Sequence, residues 1–108
     1  MFQITDYLTE EGLDPFKEWL ASLADRQARA RVLVRLQRMA SGNFGDCKPV
    51  GDSVWELRID HGAGYRVYYT KTGETLVLLL IGGDKRKQQA DIDTAIKYLK
   101  DWNRRNAP

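Results

Sequence analysis

The stretch "TLVLLLI", residues 75 to 81, constrains the fold most. Along a β-strand successive side chains point to opposite faces, so an unbroken apolar run puts apolar groups on both. Such a strand belongs in the middle of a sheet. It is far too short to cross a bilayer, which takes about 20 apolar residues as a helix. Two more strands precede it, at about 53–60 and 64–70. The turns between the three are "DHGAG" and "KTGE", both of hairpin length with glycine where a positive φ is needed. Trp55, Leu57 and Ile59 alternate with Glu56, Arg58 and Asp60, the pattern of a half-buried strand. In the next strand Tyr65, Val67 and Tyr69 take one face, and Arg66 and Tyr68 the other.

The N-terminal "MFQITDYL" reads as a first strand. Asp14 is a good N-cap and Pro15 suits the first helical position, with Phe16, Trp19, Leu20 and Leu23 forming one apolar stripe behind them. Asp25 caps a second helix running to about Ser41. Its arc is Ala28, Val32, Leu33, Leu36, Met39 and Ala40. Val34 points away from that arc, and Arg31, Arg35 and Arg38 form a flank that is either solvated or phosphate-facing. "GNFGDCKPVGDS" is rich in turn formers and reads as a loop. A last helix spans about 86–104, apolar through Ile92, Ala95, Ile96, Leu99 and Trp102. The order predicts a single α+β domain over residues 1–108: a small antiparallel meander with a helical hairpin and a C-terminal helix, the helices on one face of the sheet.

Composition narrows the function. Cys47 is the only cysteine, so no internal disulfide forms and a reducing cytoplasm is the natural location. His61 is the only histidine, and no Cys/His cluster has metal-ligand spacing, so no metal or other cofactor is expected. The start has no basic region followed by an apolar run, hence no signal peptide, and no membrane association is expected. The net charge of +2 hides an asymmetry. Residues 1–25 hold six acids and one base, −5 in all, which leaves +7 for the remainder. That remainder suits an anionic partner.

The basic groups are not scattered. Arg58, Arg66 and the run Lys85, Arg86, Lys87 lie on three consecutive segments, with Asp84 beside the last. Brought together they make a concave polar face suited to a phosphodiester. Arginines bind phosphate bidentately and hold the extra charge of a pentavalent transition state, while tyrosines such as Tyr65 and Tyr68 stack on unpaired bases. No serine or cysteine triad and no glycine-rich phosphate loop is present.

The stretches "RQARARVLVRLQRMASGNFGDCKPVGDSVWELRIDHGAGYRVYY" and "LLLIGGDKRKQQADIDTAIKYL" resemble the RelE/ParE superfamily of bacterial type II toxins, in its HigB-like "addiction module killer" branch. The resemblance covers nearly the whole chain. It implies the toxin of a toxin–antitoxin pair, partnered by a small antitoxin, often a helix-turn-helix protein. It further implies a ribosome-dependent endoribonuclease that cleaves messenger RNA by attack of a ribose 2′-hydroxyl on the adjacent phosphate, leaving a cyclic phosphate. On that pattern Arg66 stabilises the transition state, with Arg58 and Lys85 beside it, and Asp84 is a further catalytic candidate. Tyr65, Tyr68, His61, Arg86, Lys87, Arg31, Arg35 and Arg38 are candidate RNA contacts. The histidine or tyrosine that many relatives carry in the C-terminal segment is absent from "DKRKQQADID", which leaves the proton donor open. Two other readings share the fold: a ParE-like gyrase poison, and an inactive relative that only binds an antitoxin.

Overall fold

A computed structural model describes residues Met1–Pro108. Five strands form one sheet in the order β1-β5-β4-β3-β2, where β1 is Gln3–Asp6, β2 Cys47–Gly51, β3 Val54–Ile59, β4 Tyr65–Thr72 and β5 Leu76–Asp84. The apolar β5 is interior, as its two apolar faces require. It pairs antiparallel with β4 and parallel with β1, so the sheet is mostly rather than wholly antiparallel. The segment read as a loop supplies β2, which pairs with β3. Its Pro49 and exposed Lys48 are tolerated because β2 is an edge strand.

Helix α1 (Pro15–Ser22) starts at Asp14, whose carboxylate accepts from the Lys17 N–H at 2.9 Å. Helix α2 (Arg26–Ala40) starts at Asp25, which accepts from the N–H groups of Gln27 and Ala28. Both caps satisfy amides that have no partner within the helix. Leu33, counted on the apolar arc of α2, is instead 51% exposed, because the buried stripe is the narrower Ala28, Val32, Met39 set. A short 3₁₀ turn, Lys85–Lys87, leads into α3 (Gln88–Arg105). No helix is long and apolar enough to cross a membrane.

The helices do not share one face. Phe16, Val32 and Met39 of the hairpin pack on Leu57, Ile59, Val67, Tyr69, Val77 and Leu79. On the opposite face Ile92, Ala95 and Leu99 of α3 cover Tyr7, Val54, Tyr68, Leu78 and Leu80. This corrects the one-faced packing expected from the sequence. The physical reason lies in β5 itself: Val77 and Leu79 go to one core, Leu78 and Leu80 to the other, and both sets need cover. The C-terminal end of α3 is pinned to the chain after β1. Tyr7 donates to Asp101 at 2.6 Å, and Arg104 pairs with Glu10.

Candidate functional site

Arg58 and Arg66 are directly opposed in the β3–β4 register, and Arg66 is in turn opposed to Gly83 of β5. Cross-strand pairs of this kind lie about 5 Å apart, so the two arginine side chains start from the sheet side by side. Lys85 arrives from the chain just past β5. Together they line one hollow of about 360 Å³, with Asp46, Asp60, Gly64 and Tyr65 as its other polar and aromatic lining. Three consecutive segments thus deliver three cations to one place.

Each cation is held differently. Arg66 donates to the Gly64 carbonyl at 2.9 Å, and its Nε lies 3.4 Å from Glu56 Oε2. Glu56 is fully buried; it accepts from the Tyr68 hydroxyl at 3.1 Å and from the Gln88 amide at 2.7 Å. The alternation of β3 placed Glu56 on a polar open face. In the structure α3 covers that position, so Glu56 becomes an internal anchor beneath Arg66. The signal for this was available only as a juxtaposition: a carboxylate whose cross-strand neighbour is Tyr68 and whose third partner, Gln88, lies in another element. Arg58 pairs with Asp46 at 3.0 Å at a site where its side chain is 41% exposed, a contact worth little and easily exchanged for a phosphate. Lys85 is exposed and forms no ion pair among those present. Its methylenes lie over Gly64, whose φ of +77° suits a residue without a side chain; a Cβ there would stand 3.4 Å from Lys85 Cδ.

The other candidates divide into several groups. Asp84 lines a second hollow rather than the first. It caps the 3₁₀ turn and is forked by Arg86, whose guanidinium holds the Asp84 carboxyl below the usual carboxylate range. That makes Asp84 a charged acceptor and not a proton donor. Arg86 and Lys87 line the same second hollow. Tyr65 is half-buried and lines both. Tyr68 corrects an expectation: it is fully buried, and burial together with the Glu56 charge raises its hydroxyl far above the ordinary tyrosine range. It has no face to offer a base. His61 is also committed, with Nε2 3.0 Å from Asp25 Oδ2, so it ties the β3–β4 turn to the start of α2. That bond and the Ala28 N–H lower the pKa of Asp25.

The arginine flank splits in the same way. Arg35 donates to the carbonyls of Arg58 at 2.7 Å and Phe44 at 3.3 Å, which makes it a clip between α2 and the strand that carries Arg58. Arg31 and Arg38 are exposed and line a separate hollow of about 380 Å³, which shares Ile59 and Asp60 with the cationic one.

The phage-derived Gp49-like family model (DUF891) matches residues 18–100, which runs from within α1 to within α3 and includes every residue of the cationic hollow. The chain belongs to the Gp49-like family. This is a family of RelE-like toxins of toxin–antitoxin systems, and an antitoxin partner follows from membership. The chain is also similar to an uncharacterised protein of Haemophilus influenzae, 49% identical over 80 residues that cover 74% of this chain and 81% of that protein.

Proposed function

We propose that this Gp49-like protein is an endoribonuclease of the HigB kind, cleaving messenger RNA on the ribosome. The observation that carries the reading is the convergence of Arg58, Arg66 and Lys85 on one hollow of about 360 Å³. In the reaction the ribose 2′-hydroxyl attacks the adjacent phosphorus, the bond to the 5′-oxygen of the next nucleotide breaks, and a 2′,3′-cyclic phosphate and a free 5′-hydroxyl result. Negative charge grows on the non-bridging oxygens as the phosphorane forms. A guanidinium fixed in advance stabilises that charge without reorganising, which is the most effective use of a cation in catalysis. Arg66 is the group so fixed, held from behind by Glu56 and from the side by Gly64. Arg58 and Lys85 flank it and carry the ground-state phosphate charge. In this reading the proton leaves the 2′-hydroxyl and reaches the departing 5′-oxygen through the ribosome or the RNA itself.

The test is transcript-end mapping after induction, with Arg66→Ala alongside. The expected result is new 5′-hydroxyl ends in translated regions, reduced at least about 100-fold by Arg66→Ala in a protein that keeps its circular dichroism. A folded Arg66→Ala protein that cuts as well as the parent overturns the assignment. Growth arrest with intact transcripts and inhibited gyrase supports the ParE-like reading instead.

A further inference from the structure

We propose that the hollow next to the cationic one is a base-binding subsite for guanine, with Asp91 reading the Watson–Crick edge of the base. This rests on the ribonuclease reading above and names what the cut strand presents beside the scissile phosphate. The hollow has a volume of about 460 Å³, enough for a nucleoside, and Trp19, Tyr65, Lys87 and Asp91 are among its walls. Tyr65 lines this hollow and the cationic one alike, so a strand with its phosphate over Arg66 leads an adjoining nucleotide past Tyr65 into the second hollow. Single-stranded RNA is recognised by aromatic surfaces for the base and hydrogen bonds to its exposed edge. Both are present.

The end of β5 is shaped for it. A Cβ on Gly82 would lie 2.1 Å from the Trp19 ring, and one on Gly83 would lie 1.9 Å from Asp91 Oδ2. With two glycines the indole and the carboxylate close on the strand from opposite faces, and both reach the hollow. Two carboxylates face it. Asp84 is occupied by Arg86 through three contacts of 2.9 to 3.3 Å. Asp91 is half-buried, and no hydrogen bond from the protein contributes to its ionisation; burial and the Asp84 charge raise its pKa. A partly desolvated carboxylate without donors gains most from a ligand that brings them.

Among the four bases guanine alone offers two adjacent N–H donors on that edge, N1–H and the 2-amino group, which match the two oxygens of one carboxylate. Its neighbouring O6 is an acceptor that suits the Lys87 ammonium. Adenine and cytosine present one amino group beside a ring acceptor, which would meet the second carboxylate oxygen unfavourably. Uracil has a single N–H between two carbonyls.

Binding without catalysis tests this directly. Titrations of the whole protein, followed by NMR, would compare the 2′,3′-cyclic monophosphates of guanosine, inosine, adenosine, cytidine and uridine. The guanosine compound should bind about ten-fold tighter than the other three standard ones and shift the Trp19 indole N–H. Inosine, which lacks the 2-amino group, should lose most of that margin. Asp91→Asn should level all five while phosphate-driven binding persists. Equal affinity of the unaltered protein for all five overturns the subsite. So does transcript cleavage by a folded Asp91→Asn protein that keeps a guanine preference. Guanine-selective binding by a protein that cuts no transcript supports the subsite and counts against the ribonuclease reading alone.

Discussion

Arg66 and Glu56 lie on neighbouring strands, one at the lip of the hollow and the other buried beneath it. The acid has no role in touching substrate; its effect is to hold the guanidinium in place. A cation aimed at a developing charge loses most of its value when it is misplaced by an ångström. Glu56→Gln keeps the shape and the contacts with Tyr68 and Gln88 but removes the charge. The expected outcome is a loss of cleavage of about ten-fold to 100-fold with normal affinity for product-like cyclic phosphates. A ribosome-coupled cleavage assay on the purified variant measures the first and titration the second. An unchanged rate would show that Gly64 alone suffices to hold Arg66.

At the scale of elements, the site depends on how α1 meets β5. The Trp19 ring rests on Gly82 and is backed by Phe16, with ring centroids 5.9 Å apart. The indole is a rigid ring and cannot yield as the end of a flexible side chain would. Gly82→Ala therefore overpacks the contact and should cost about 1–3 kcal/mol of stability, measured by urea unfolding with fluorescence detection. The hairpin and the sheet are joined a second time through Arg35, which binds the backbone of β3 at Arg58, and a third through His61 on Asp25. The last two contacts place α2 and the β3–β4 turn around the hollow, so the side chains of Arg35 and His61 are committed to architecture.

Over the whole molecule, a net charge of +2 on 108 residues is small for a protein that must grip RNA unaided. The −5 of the first 25 residues opposes much of the +7 beyond them, and Asp46 and Asp60 dilute the hollow itself. Cleavage of free RNA should accordingly be at least about 100-fold slower than cleavage of ribosome-bound message, and steeply weakened by salt. Reactions with purified ribosomes and with naked transcript, run side by side across ionic strength, measure this. Robust cleavage of naked RNA would show that the chain positions its substrate alone.

Local chemistry was legible without a structure. The caps at Asp14 and Asp25, the meander, the interior place of β5 and the three basic segments all follow from residue types a few positions apart, where short-range sterics and hydrogen bonding decide. What lies across the molecule was not. Whether a polar residue on an alternating strand faces water or a helix depends on where a distant segment packs, and this is why Glu56 and Tyr68, on the polar faces of their strands by alternation, are buried. The edge strand β2 was missed for the same reason, since its regularity comes from hydrogen bonds to β3 and not from its own turn-forming residues. Residue types and their spacing were enough to mark the charges, the capped helices and every strand but β2. Which of those charges line an open hollow and which hold one another came from the packed chain alone, because burial and pairing belong to pairs of distant residues.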